Sequence, residues 1–242
     1  MSDRAVQDEV IRYLADAKVR EQGARALLIS AAEAAKASRF AHFLARRYYR
    51  DRLARSFRYS RRFRGQTGRI AEEVVDAEEF DRFLSQCVIG SLESAQQVAQ
   101  MAREHLIAVP EPGLWWQDLL DYECAYFLQA ATAERRVSTG RPSPGASAIC
   151  RRFAWALPEM LPRLRAGEAL DDHLRREVTL LFTRTDTARI YVVEIDATME
   201  KVFWAANGAR SVEHIAAHAG TSLPSTEQML EALAGIGAVR VH

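Results

Sequence analysis

His214 and His218 stand four residues apart in "SVEHIAAHAG", a spacing that places two imidazoles on one helix face where they can share a metal ion. The order is not the H-E-x-x-H of zinc hydrolases, and no third ligand stands nearby in the chain, so a solvated pair is the simpler reading. "DDH" at 171–173 suits a polar helix surface. The carboxylates Asp118, Asp121, Glu123 and Glu134 share one helical stretch, but di-iron bundles need paired Glu-x-x-His units, which this chain lacks. It also has no glycine-rich phosphate loop, no G-x-S-x-G, and no Cys or Ser beside a recognisable base. Cys87, Cys124 and Cys150 lie far apart without a C-x-x-C pair and are expected as buried free thiols. The expectation is a chain without catalytic residues, resident metal or cofactor.

The charge points to binding instead. A net +1 hides 17 Lys+Arg against 7 Asp+Glu in residues 1–69, with the remainder acidic. "RFAHFLARRYYRDRLARSFRYSRRFRGQTGR", 39–69, holds eleven Arg and one acid, a footprint for an acidic protein or nucleic acid, or the arginine-decorated outer face of a bundle helix. Arg46, Arg47, Arg50 and Arg58 are its candidate partner-binding residues. The interleaved aromatics recur at core spacing and are expected to pack inward.

These residues must be carried by helices. Residues 24–63 run without Pro or Gly, with Phe40, Leu44 and Tyr48, then Tyr49, Leu53 and Phe57, at four-residue steps. A second helical stretch follows "GQTGR", interrupted at Gly90-Ser91, where Ser91 can cap a new helix. A third helix, "LWWQDLLDYECAYFLQAATAERR", shows an apolar face of Trp116, Leu119, Leu120, Tyr126, Phe127 and Ala130. "VSTGRPSPGAS" has linker chemistry. The domains are therefore expected as a helical bundle over 1–136, a linker over 137–147, and a connector with a second domain over 148–242. The connector reads as a short helix broken by Pro158 and Pro162. "EVTLLFTRTDTARIYVVEID" is a hairpin with a polar turn at 184–188, and Asp196, Ser211 and Ser225 each open a helix before the final strand "AVRVH". The fold class is mainly α with a small α+β C-terminal module of winged-helix type. No run approaches a membrane span, and the chain reads as soluble and cytoplasmic.

The order hairpin, helix, "NGARSVEHIAAHAG", helix, "LEALAGIGAV" resembles the PqqD-like precursor-peptide recognition element of ribosomal peptide (RiPP) biosynthesis. Asn207, Gly208, Arg210, Ser211, Val212 and Ile215 stand in the places of its middle signature. "FDRFLSQCVIGSLESAQQVAQMAREHL" and its aromatic-rich flanks look like the helical domain of accessory proteins that pair with multinuclear non-heme iron oxidases, such as those of methanobactin and 3-thiaglutamate biosynthesis.

These resemblances imply a non-catalytic subunit that binds a precursor (leader) peptide and presents it to an iron-dependent oxidase in a heterodimer. The peptide would add as a strand to the hairpin edge, with Tyr191 and Val193 on one side of the strand, Val192 and Glu194 on the other, and Met229, Leu230 and Leu233 forming a groove. The alternative is a winged-helix transcriptional regulator that uses the arginine-rich helix on phosphates. Against it, the last helix, "STEQMLEALAGIGA", carries Glu227 and Glu231 but no Lys or Arg, so DNA would be repelled.

Overall fold

The computed structural model describes residues 13–26, 31–107, 111–132, 141–145, 148–185 and 187–240. The chain is mainly α with a small sheet region, and it divides into two compact units, Met1–Pro110 and Glu111–His242. Among the described residues no helix is long and apolar enough to cross a membrane.

The first unit contains α1 (Ala17–Ala26), α2 (Ala31–Ser56), short helical turns between Ser60 and Asp76, α3 (Glu78–Leu84) and α4 (Leu92–Ile107). Ala41, Ala45, Tyr49 and Leu53 of α2, with Phe57 just beyond its end, recur every four residues and are buried. They form its core face. Phe80 and Phe83 of α3 meet the Tyr49 ring edge-on at 6.2 and 6.1 Å. The expected row Phe40, Leu44, Tyr48 is rotated by one residue, about 100°, and leaves the core: Phe40 is 52% exposed and the other two are half-buried. Ser91 caps α4 as expected, its hydroxyl accepting the Ser94 N–H at 3.1 Å.

The second unit opens with α5 (Trp116–Ala131), then β1 (Ser143–Pro144), β2 (Ile149–Phe153), α6 (Leu157–Ala166), β3 (Val178–Arg184), β4 (Ile190–Ile195), α7 (Ala197–Ala205), α8 (Val212–Ala219), α9 (Leu223–Gly235) and β5 (Val239–Arg240). An antiparallel sheet runs β2-β3-β4, and β1 pairs with β5 separately. β3 is the central strand and is buried almost throughout. On one sheet face Leu181 and Ile195 join Val202, Phe203, Ile215, Leu230 and Leu233 in a single apolar cluster. On the other face α5 packs across the hairpin, with the Tyr122 and Phe182 rings 5.4 Å apart. Arg184 donates to the carbonyls of Gln129 and Thr132 at 3.0 and 2.7 Å, closing the C-terminal end of α5 against β3.

Four sequence expectations change here. The division into units falls at Pro110/Glu111, not within 137–147: α5, assigned above to the bundle, covers the sheet because its apolar face matches Phe182 and its neighbours. Of the expected linker, 141–145 is built into the fold. Pro142, Ser143 and Gly145 are buried, and a Cβ on Gly145 would collide with the Gly237 carbonyl; residues 137–140, 146 and 147 lie outside the described residues. The connector begins as strand β2, and Pro158 and Pro162 both sit inside α6. Pro158 falls in the first turn, where no N–H is needed. Finally, α9 is capped by Ser222 rather than Ser225, whose N–H donates to the Ser222 hydroxyl at 3.4 Å. Asp196 and Ser211 cap α7 and α8 as read from the sequence.

Candidate functional site

Strand β4 is an edge: among the described residues it pairs only with β3. The hairpin turn decides which of its backbone groups face outward. The Ala188 N–H donates to the Thr185 carbonyl at 2.8 Å and the Thr185 N–H to the Arg189 carbonyl at 3.0 Å, while Ala188 sits at φ 62. This is a three-residue loop whose last residue is left-handed, and it makes Thr185/Arg189 a hydrogen-bonded pair. Antiparallel pairs alternate, so Thr183/Tyr191, Leu181/Val193 and Thr179/Ile195 are bonded pairs too. Ile190, Val192 and Glu194 therefore turn their N–H and C=O groups away from β3, toward the open edge.

The side chains follow the same alternation. Tyr191, Val193 and Ile195 share the face of Leu181, where Val193 packs on the apolar cluster. Val192 lies opposite Phe182 on the α5 face, with Glu194 opposite Leu180. The four residues 190–193 are half-buried and Glu194 is exposed, whereas β3 beside them is closed to solvent. Each end of the edge carries charge. Arg189 lies over the Tyr191 ring, 5.0 Å from its centroid. Arg176 bridges the Glu194 and Glu159 carboxylates at 2.9 and 2.8 Å, and both hold its guanidinium protonated, well above its ordinary range.

The expected groove is only partly a surface. Leu230 and Leu233 are 2% and 1% exposed, members of the apolar cluster that holds α9 on the sheet. They are core residues. Their period of three along an amphipathic helix marks the buried face, and sequence alone cannot separate a groove from a core on that face. Met229, half-buried, stays at the border of the same cluster as Val193.

Of the arginine candidates, Arg46 reaches the Asp81 carboxylate and the Val75 carbonyl, and Arg50 reaches Asp76. Arg58 donates to the Tyr59 hydroxyl at 3.2 Å and lies 4.9 Å from its ring centroid. Arg47 is exposed. Much of this charge is thus engaged within its own unit.

Among the described residues no group of three His, Cys, Asp or Glu side chains is arranged to hold a metal ion. His214 and His218 are both exposed on α8, and the His214 Nδ1 lies 3.2 Å from the Ser211 hydroxyl. Asp118 accepts the Trp155 N–H at 2.9 Å and its carboxyl is pushed up by burial; Glu123 is fully buried, and Glu134 lies outside the described residues. Burial also raises the Cys87 and Cys150 thiols to about 11, which keeps both protonated near neutrality.

Three parts of the site escaped the sequence reading: β2, which makes β3 central; Ile190, whose amide faces the edge; and Arg176. Only the loop length carried a signal for the second, because a three-residue loop sets the pairing parity. No protein-family profile and no curated protein matches this chain.

Proposed function

We propose that the chain is a non-catalytic accessory subunit that binds the leader of a ribosomally made precursor peptide along β4 and presents it to a metal-dependent modifying enzyme. The observation that carries this reading is the open edge of β4, with the outward amides and carbonyls of Ile190, Val192 and Glu194 flanked by half-buried side chains. An extended peptide can satisfy those groups as a fourth strand, main-chain bonds giving affinity and alternate side chains giving selectivity. The β3-β4 hairpin followed by the three helices α7, α8 and α9, with β2 and α6 ahead of them, supports a winged-helix, PqqD-like module. Tyr191, Val192, Val193, Glu194 and Met229 remain the peptide contacts of this proposal, while Leu230 and Leu233 hold the wall behind them. In the cell the module works in the cytoplasm, in a heterodimer with an iron-dependent oxidase, and Arg47 is the candidate whose charge is most available to that partner.

The test is fluorescence anisotropy with labelled synthetic peptides that cover the short reading frames beside the gene. One should bind saturably, and Val192→Pro, which deletes an outward N–H and spares the β3 ladder, should weaken it by about ten- to a hundred-fold. Equal binding by the folded variant overturns the edge mode. Sequence-specific, salt-resistant binding to DNA would favour a regulator instead.

A further inference from the structure

Tyr13, Ala17, Arg20, Ala34, Ser38, His42 and Ser85 line a cavity of about 420 Å³ between the start of α1, the middle of α2 and the end of α3. That volume is in the range that holds a small molecule. No Asp or Glu is among the described residues that line it. The segment that forms one wall is fixed by backbone bonds: the Ala17 N–H donates to the Cys87 carbonyl at 3.3 Å and the Ile89 N–H to the Ala15 carbonyl at 2.9 Å.

Arg20 is the unusual residue. Its guanidinium is half-buried, donates to the Leu14 carbonyl at 2.7 Å, and makes no ion pair with any described carboxylate. Arg46, Arg50 and Arg61 of the same unit each meet an acid. Asp16 attracts Arg20 electrostatically but spends its Oδ1 on the Lys18 and Val19 amides at 2.8 and 3.3 Å. A guanidinium has five donors, so Arg20 keeps several to offer the cavity. Burial lowers its affinity for a proton, and electrostatic attraction to Cys87, Asp16 and Tyr13 offsets this only in part. His42 shows the same field from the opposite wall: burial, then the charges of Arg20 and Arg46, push its imidazole down from its ordinary range. Its Nε2 lies 3.5 Å from the Ser38 hydroxyl. Ser85 is occupied, donating to the Arg82 carbonyl at 2.7 Å, which leaves Tyr13 and Ser38 as the other hydroxyls of the lining.

A cavity that gathers a guanidinium without an ion pair, an imidazole and two hydroxyls, with no acid among the described residues of its lining, is complementary to one class of ligand. We propose that it binds a compact oxyanion, a carboxylate or a phosphate, held by Arg20 with Tyr13, Ser38 and His42 around it. A planar guanidinium can take either group through two parallel hydrogen bonds.

The experiment is isothermal titration of the full chain with inorganic phosphate and, separately, with acetate. One anion should bind saturably at one site per chain, the tighter of the two assigning the ligand as phosphate or carboxylate. Arg20→Gln should weaken it by about tenfold or more, and Ser38→Leu, which fills the cavity and removes no charge, should do the same. Arg55→Gln, an exposed change on α2 outside the cavity, should leave it within about twofold. Circular dichroism establishes that each variant is folded, and Ser38→Leu keeps the test valid should Arg20→Gln not fold. The proposal is overturned if neither anion saturates, or if Arg55→Gln weakens binding as much as Arg20→Gln, which would mean diffuse attraction to the arginine-rich surface.

Discussion

The arginine-rich helix α2 and the edge strand β4 invite opposite first impressions. Eleven arginines in α2 and the turns after it, six of them in α2 itself, advertise a binding surface, and six residues of β4 look like ordinary β-structure. The structure reverses the weights. Arg46 and Arg50 are held by Asp81 and Asp76, and Arg61 by Glu72 at 2.7 Å, so acids from the following turns and α3 answer much of the basic charge. Among the described residues the β4 backbone has no strand partner along one side. A side chain can bend to find a local counter-ion; an outward amide in a strand is fixed in direction and needs water, a side chain or another backbone segment brought to it. Charge density by itself is therefore a weak guide to what a surface has left to offer a partner.

Core and edge should part most sharply under substitution. Phe182 is fully buried at the centre of β3, between Tyr122 and the sheet, and Phe182→Ala should cost about 3–5 kcal/mol of stability in urea unfolding. A small effect would break the distinction between a closed β3 and an open β4. Next comes a pair of neighbours: Val193→Pro removes a ladder hydrogen bond and should cost about 3 kcal/mol or more, whereas Val192→Pro should stay folded and lose only peptide affinity. If both unfold alike, the pairing parity is wrong. Met229→Glu places a charge at the border of the cluster and should reduce peptide binding by about 1–3 kcal/mol with the fold retained by circular dichroism.

The smallest effects belong to the charged helix. Arg50→Gln breaks an exposed pair with Asp76 and should change stability by no more than about 0.5 kcal/mol. Glu73 offers a pH-dependent counterpart. Burial pushes its carboxyl up, but the Ile70 amide at 3.1 Å and His105 at 3.1 Å outweigh it and hold the carboxyl below its ordinary range. Its folded-state affinity for a proton is thus lower than in the unfolded chain. Its contribution is present above the ordinary carboxylate range and is lost as the pH falls through the depressed value. Thermal unfolding from neutral to acidic pH should show a shallower loss in Glu73→Gln; identical slopes would mean the pair is immaterial.

The order of helices and the hairpin were legible in the chain because their signals are local. Asp196 and Ser211 supply cap oxygens one residue ahead of α7 and α8, Gly220 closes α8 in the left-handed region at φ 71, and alternating β-branched residues draw β3 and β4. Such features depend on residues within a turn of one another, so sequence alone determined them. Composition likewise settled that the basic charge lies at one end. What only the tertiary structure decided was partnership: that α5 belongs with the sheet, that β2 takes one side of β3 and leaves β4 as the edge, that Tyr49, Leu53 and Phe57 rather than Phe40, Leu44 and Tyr48 face the core, and that Leu230 and Leu233 lie behind the surface. Each is a choice between faces or neighbours with the same local pattern. That choice is made by which apolar surfaces can be buried together, a property of pairs of segments distant in sequence rather than of either segment by itself.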